Sequence, residues 1–127
     1  MDLVLIVITV ALLEYMWFGM LVGKARGKTG IKAPATTGDP EFECYHRVQQ
    51  NTMELLVAFI PGIIIFAQMW RADIAAGLGV LFIIGRFLYL RAYVADPSKR
   101  TIGFILSWLP TLILLIGGLA GAIMRVM

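Results

Sequence analysis

The sequence predicts an all-α integral membrane protein, a bundle of four transmembrane helices, and two observations lead to this fold class. Hydrophobic residues make up 60% of the 127 residues and the mean hydropathy is +0.86, whereas soluble domains are about 45–50% apolar. The apolar residues also form four long runs, each close to the ~20 residues that cross a ~30 Å hydrocarbon layer. A soluble core of this size could not enclose so much apolar surface, so the runs are interpreted as membrane spans.

The predicted helices cover roughly residues 3–22, 48–70, 74–94 and 102–124, and together they form a single domain over residues 1–127. The first run follows Met1 and Asp2 without a basic segment, and no small-residue cleavage pattern ends it, which favours a retained helix over a signal peptide. The connection Gly23–His46 is rich in turn-forming residues, Arg71–Asp73 is a tight turn, and Asp96–Arg100 is a short polar hinge.

The basic residues are concentrated at one end of the predicted bundle. Nine lie in or beside the first and third connections, and two lie at the opposite end: Lys24, Arg26, Lys28, Lys32, Arg47, Arg86, Arg91, Lys99 and Arg100 against Arg71 and Arg125. The positive-inside rule then places Gly23–His46 and Asp96–Arg100 in the cytoplasm and both termini on the other side. The net charge of +3 is therefore interpreted as a topology signal and an attraction to membrane lipid, and no nucleic-acid partner is expected.

Polar residues interrupt two of the apolar runs at helical spacing. They form one stripe on the second helix and one on the third: Arg47, Asn51 and Glu54, and Arg86, Tyr89 and Tyr93. Ionisable groups at such depth are costly and usually face a bundle interior or a wet cavity. One interpretation is structural, with Glu54 paired to Arg47 or Arg86. Because arginines outnumber this one glutamate, the stripes also indicate a site for an anionic ligand.

Three other features lead to further predictions. Glu14 and Tyr15, in the middle of the first helix, are interpreted as structural. Cys44 and His46 are too few to form a metal site, so no metal is expected. Glycines in the third and fourth helices are predicted to let helices approach closely: Gly77, Gly79, Gly85, Gly117, Gly118 and Gly121.

Two long motifs resemble a known family. The run from Pro40 to Glu54, PEFECYHRVQQNTME, and the run from Gly85 through the hinge Asp96–Arg100 are similar to signatures of the membrane-associated proteins in eicosanoid and glutathione metabolism, the MAPEG family. The resemblance covers essentially the whole chain and is closest to the type-three microsomal glutathione transferases. Cys44 and Leu55 differ from the leukotriene-synthesising branch, which weakens a prediction of leukotriene chemistry.

The resemblance implies a homotrimer of four-helix subunits, with glutathione as cosubstrate held between neighbouring subunits near the cytosolic face. The residues that match glutathione-binding positions are Arg47, Asn51, Glu54, Arg86, Tyr89 and Tyr93, with Arg26 and Gln49 supplied by the adjacent subunit. Arg100 matches the catalytic arginine that stabilises the glutathione thiolate.

The resulting functional prediction is a membrane-bound glutathione transferase. It would conjugate glutathione to lipophilic electrophiles, reduce lipid hydroperoxides, or do both. The alternative is a non-catalytic membrane scaffold that binds lipid or glutathione. A channel is disfavoured because the polar stripes stop near one face of the membrane.

Overall fold

The computed structural model describes all residues 1–127 and contains four long helices. They are α1 (Asp2–Thr29), α2 (Pro40–Met69), α3 (Ala72–Ala95) and α4 (Thr101–Val126), with one 3₁₀ turn at Pro97–Lys99 before α4. All four are long and apolar enough to cross a membrane. The predicted fold class, an all-α integral membrane bundle, is therefore confirmed.

The first two helices extend well beyond their apolar runs. α1 continues past Val22 to Thr29, and α2 begins at Pro40, so the first connection contains only residues 30–39. Gly30 ends α1 in the left-handed conformation (φ 77°) and its N–H bonds to the Arg26 carbonyl. Asp39 caps α2 by accepting from the backbone N–H groups of Glu41 and Phe42. Hydrophobicity marks the part of a helix that lies in lipid, whereas these caps set where the helix ends.

Consecutive helices are antiparallel, so α1 and α3 run in one direction and α2 and α4 in the other. The Phe59 ring of α2 stacks on Phe82 of α3 at a centroid distance of 4.0 Å. Near the chain's C-terminus, Arg125 donates to the Gln68 carbonyl at 3.0 Å. The connections 30–39 and 96–100 therefore lie at one end of the bundle, which we call the basic end, and Arg71 and Arg125 lie at the other.

An apolar core fills the middle of the bundle, while many apolar side chains face outward. Val4, Phe59, Ile63, Phe82 and Leu114 are fully buried and belong to one cluster. Outward-facing apolar side chains occur on every helix. A surface of this kind suits contact with lipid rather than water.

α3 and α4 touch at their backbones. A Cβ atom added at Gly85 would lie 2.7 Å from the Ser107 nitrogen, and one added at Gly103 would lie 2.6 Å from the Tyr89 Cα. The prediction of close approach thus holds at Gly85, but it is wrong at Gly77, whose Cβ would meet nothing within 4 Å. Gly77 faces open space because it lies on the outer side of α3.

Arg86 joins three helices from a fully buried position. Its Nε and Nη2 donate to the Ser107 hydroxyl of α4 at 2.9 and 2.6 Å. Its Nη1 donates to Asn51 Oδ1 at 2.6 Å and to Thr52 Oγ1 at 3.3 Å, both on α2. The guanidinium carbon lies 4.4 Å from the centroid of the Tyr89 ring. These contacts fix the relative positions of α2, α3 and α4 near the basic end.

The hinge before α4 is held by short polar contacts. Asp96 accepts from the Ser98 hydroxyl at 2.8 Å and from the Ser98 N–H at 3.1 Å. The hydroxyl hydrogen bond is the main cause that holds the pKa of the Asp96 carboxyl below its usual range. Arg100 donates from Nη1 to the Pro97 carbonyl at 2.8 Å, which places its side chain at the start of α4.

Gly85→Ala is expected to destabilise the bundle by about 1–3 kcal/mol, the usual cost of overpacking. Its methyl group would meet the backbone of α4, which no rotamer change can move away. Gly77→Ala on the same helix is the matched control and is expected to be neutral or stabilising. The free energy of unfolding of both variants is measured by titrating the detergent-solubilised proteins with SDS. Equal stability of the two would contradict the backbone contact.

Ser107→Ala is expected to cost about 1–3 kcal/mol or more, because it leaves two buried N–H groups of Arg86 without an acceptor. Thr111→Val is the matched control one turn along α4. Its hydroxyl only donates to the Ser107 carbonyl of the same helix, so its loss should cost less than half as much. The same titration tests this difference, and a reversed order would show that Ser107 does not hold Arg86 in place.

Candidate functional site

A polar cleft of about 510 Å³ opens between α2, α3 and α4 at the basic end. We call it the basic cleft; its lining residues are Arg47, Asn51, Tyr89, Tyr93, Arg100, Thr101 and Phe104. The structure therefore brings together five of the residues that the sequence singled out. The lining contains two arginines and no carboxylate, so the cleft is suited to an anionic ligand.

Helical spacing explains how the lining residues converge. Arg47 and Asn51 lie one turn apart on α2, and Tyr89 and Tyr93 lie one turn apart on α3. The two tyrosine rings are 5.4 Å apart between centroids, and Phe104 of α4 lies 6.3 Å from Tyr89. The cleft thus has two arginines and an amide beside an aromatic wall that offers two hydroxyl groups.

Asn51 has a fixed orientation in this cleft. Its side-chain oxygen accepts from Arg86 at 2.6 Å, so its NH₂ group is the part that remains available to a ligand. Arg86 itself is fully buried and is not among the lining residues. The sequence predicted Arg86 as a ligand-binding residue, whereas the structure places it behind the cleft wall, where its charge is bonded to Ser107 and Asn51.

Glu54 lies outside the lining of the basic cleft and is exposed on α2. The chain contains two ion pairs, Lys28–Glu41 at 2.9 Å and Arg71–Asp73 at 2.7 Å, and both are exposed. The structural interpretation, in which Glu54 pairs with Arg47 or Arg86, is therefore wrong within a single chain. Glu54 has no cationic partner here although it lies within a predicted span.

Arg26 and Gln49 also lie away from the basic cleft of their own chain. Arg26 donates to the carbonyls of Ala35 at 2.9 Å and Ile31 at 3.4 Å, and its guanidinium lies 4.6 Å from the Phe42 ring centroid. Gln49 packs toward α1, where a Cβ added to Gly19 would lie 2.8 Å from its Nε2. Neither residue is among those that line the basic cleft of its own chain.

Glu14 contrasts with these residues because part of it is buried without a partner. Its Oε1 atom is inaccessible and makes no hydrogen bond. Tyr15, next to it, packs against the apolar core, as its structural interpretation implies.

Sequence reasoning missed three residues of this region. Thr101 and Phe104 line the cleft. They follow Arg100 by one and four residues, so at helical spacing both lie close to Arg100. Ser107 holds Arg86. A serine in an otherwise apolar span is a signal for an interhelical hydrogen bond, and this signal was available in the sequence.

Comparison with known proteins identifies relatives over most of the chain. The model of the MAPEG family matches residues 4–120. An uncharacterized protein of Synechocystis sp. is 41% identical over 114 residues, which cover 90% of this chain and 83% of that protein. Microsomal glutathione S-transferase 2 of Homo sapiens is 39% identical over 94 residues, covering 74% of this chain and 64% of the human protein.

Leukotriene C4 synthase of Bos taurus is more distant, at 29% identity over 84 residues, which cover 66% of this chain and 56% of the bovine protein. The chain therefore aligns with less than two thirds of the length of these two named enzymes. The family match is broader than either alignment, because it extends from the first helix to the fourth. On this match, together with the four spanning helices and the two motifs, the chain belongs to the MAPEG family.

Proposed function

We propose that this protein is a membrane-bound glutathione transferase that joins the glutathione thiolate to lipophilic electrophiles, reduces lipid hydroperoxides with it, or does both. One observation carries the proposal: the basic cleft gathers Arg47, Arg100 and an oriented Asn51 without an internal carboxylate to neutralise them. The named relatives are glutathione S-transferases and leukotriene C4 synthases, which supports the same class of reaction.

The charges of glutathione complement this part of the molecule. Glutathione carries two carboxylates and one ammonium group, and arginine binds a carboxylate through two parallel hydrogen bonds. In this proposal Arg47 and the Asn51 NH₂ group, which line the same cleft wall, bind one carboxylate. Glu54 lies three residues after Asn51 on α2 and, being unpaired in the chain, is a suitable partner for the ammonium. The tyrosine hydroxyls of the aromatic wall can complete the hydrogen bonds.

Arg86 contributes indirectly in this proposal. Its hydrogen bond fixes the Asn51 amide, and its buried charge adds to the positive potential of the cleft. Arg86 is thus a positioning residue in the single chain rather than a residue that touches glutathione.

Arg100 is the proposed catalytic residue. The thiolate of glutathione is the nucleophile, and an ordinary cysteine thiol has a pKa near 8.5. A guanidinium beside the sulfur favours the anion and lowers that pKa. The thiol proton passes to solvent, the sulfur attacks the electrophile, and the leaving group departs with the bonding electrons. With a hydroperoxide, the thiolate attacks the terminal oxygen, the O–O bond breaks, and the departing alkoxide takes a proton from solvent to become the alcohol. A second glutathione then converts the sulfenic product to the disulfide and water.

We further propose that the site is completed by a neighbouring subunit of a homotrimer. Glu54 is exposed beside the cleft in the isolated chain, although a charge at that depth normally faces a protein interior. Arg26 borders a separate depression of about 410 Å³, together with Gly23 and Gly27, which leave open space beside it. Close approach of a second copy at this bare helix face would bring Arg26 and Gln49 toward the cleft.

The membrane gives the reaction its second substrate. The basic cleft opens at one end of the bundle, where water-soluble glutathione can enter, and Phe104 lies at its apolar side. A lipophilic electrophile dissolved in the bilayer would reach the thiolate along the outer helix faces. We propose that the basic end faces the cytoplasm, as the positive-inside rule predicts.

Arg100→Ala is expected to lower glutathione-dependent turnover of an aryl halide by at least about tenfold near neutral pH. Removal of one nearby cation raises the pKa of a bound thiol by ~1–3 units. The rate profile should therefore shift to higher pH, and activity should partly recover there. Steady-state rates against pH, with thiolate absorbance measured in parallel, check this.

Lys99→Ala is the matched control, because Lys99 is an adjacent exposed cation outside the cleft lining. It should leave the pH profile unchanged. An equal loss in both variants would indicate a general effect of surface charge. A wild-type protein that binds glutathione without forming thiolate would instead support the scaffold alternative.

A mixing experiment tests whether subunits share the site. Arg26→Ala and Arg100→Ala proteins should each have low activity alone. When the two are coexpressed, up to about a quarter of the sites in a closed ring would pair an intact Arg26 with an intact Arg100 from the neighbour. Partial recovery of activity is therefore expected, and oligomeric size in detergent confirms that both variants assemble. Full assembly with no recovery would show that the site belongs to one chain.

A further inference from the structure

A second concavity lies on the other side of α3 from the basic cleft. It has a volume of about 460 Å³ and runs between α1 and α3, with walls that include Trp17, Leu21, Phe87 and Leu90. We call it the α1–α3 groove. Among the residues that line the groove, only Arg91 is charged. The volume lies within the ~300–1,000 Å³ range of sites that bind small molecules.

The groove is separate from the proposed glutathione site. Tyr89 and Tyr93 line the basic cleft, whereas Phe87 and Arg91 line the groove. A shift of two positions turns a helical residue by about 200°. The two sites therefore use opposite faces of α3, and occupancy of one does not require the other.

The groove changes from apolar to basic along its length. Its deeper part is aromatic, with Trp17 and Phe87 stacked at 6.2 Å between centroids. A smaller cavity of about 180 Å³ adjoins the groove, and Leu21 and Tyr45 border both of them. The smaller cavity is also bordered by Lys24, Lys28 and Glu41. This second space lies toward the basic end, so the apolar surface is on the membrane side and the lysines are on the headgroup side.

The cations of this region are incompletely neutralised by the chain. Lys28 is paired with Glu41 at 2.9 Å. Lys24 and Arg91 make neither a hydrogen bond nor an ion pair; the Arg91 guanidinium carbon lies 5.9 Å from the Phe87 ring centroid. Two unpaired cations beside an apolar trough complement an amphiphile with a negative head and a hydrocarbon tail.

We propose that the α1–α3 groove binds an anionic glycerophospholipid from the leaflet at the basic end. The phosphate lies between Lys24 and Arg91, and one acyl chain lies along the aromatic wall of Trp17 and Phe87.

Quenching of Trp17 fluorescence by brominated lipid tests the site. Trp70→Phe and Trp108→Phe leave Trp17 as the only tryptophan, and the protein is placed in vesicles of phosphatidylcholine with a minor fraction of brominated phosphatidylglycerol. Each surface cation favours anionic lipid by roughly fivefold, so brominated phosphatidylglycerol should quench several-fold more than brominated phosphatidylcholine. In a Lys24→Gln/Arg91→Gln background this preference should fall by at least about fivefold.

Lys32→Gln/Lys99→Gln is the matched control, since it removes the same charge from the same end outside the groove. It should keep the preference. Equal quenching by both lipids would overturn the proposal. An equal loss of the phosphatidylglycerol preference in both double variants would also overturn it, because the preference would then come from general surface charge. Absence of quenching by either lipid would show that protein covers the groove and would overturn it as well.

A second measurement avoids the tryptophan substitutions. Wild-type protein purified from mixed vesicles of the two lipids should retain phosphatidylglycerol in preference to phosphatidylcholine. The Lys24→Gln/Arg91→Gln protein should retain several-fold less, and the control double variant should match the wild type. Lipid retention identical in all three proteins would contradict the site.

Discussion

The buried guanidinium of Arg86 is the interaction on which the arrangement of the basic end depends. A charge inside a membrane-spanning bundle is costly unless it is bonded on every side. Here Ser107, Asn51 and Thr52 accept from it, and the Tyr89 ring covers its face. Since the acceptors lie on α2 and α4 and the arginine on α3, satisfying one charge fixes three helices at the same depth.

The basic cleft follows from this arrangement. α3 and α4 meet at Gly85 and Gly103 without intervening side chains, which brings Tyr89 and the start of α4 together. Asn51 is drawn toward α3 by its bond to Arg86. The residues that line the cleft on α2 and α3 are therefore supported by packed helices, while the apolar core around Phe59 and Phe82 fixes the rest of the bundle.

Much of this structure could be predicted from the sequence, because hydrophobic runs and helical spacing are local properties. The four spans follow from the hydrophobic runs, and helical spacing pairs Arg47 with Asn51 and Tyr89 with Tyr93. Arg100 was added to this set by the family resemblance. Helix ends did not follow, since the caps at Gly30 and Asp39 lie beyond the apolar runs.

The contacts that some side chains make could not be predicted from the sequence either. Periodicity shows that Arg86 shares a stripe with the tyrosines, but only packing shows that Ser107 draws it behind the cleft wall. Periodicity likewise cannot tell the outward Gly77 from the contact-making Gly85. In the proposed homotrimer, the position of Glu54 relative to the neighbour's Arg26 and Gln49 depends on how the subunits pack, which the sequence of one chain does not reveal.

The hinge before α4 has a consequence for the timing of events at the cleft. Arg47 is carried within a long helix, but Arg100 follows a 3₁₀ turn of three residues and its side chain is bonded to the Pro97 carbonyl. In the proposed function, Arg100 would exchange this bond for one to the ligand, which is a local motion at the hinge. Such motions occur on the nanosecond-to-microsecond timescale. Ligand engagement and release at this cation are therefore expected to be fast compared with domain movements.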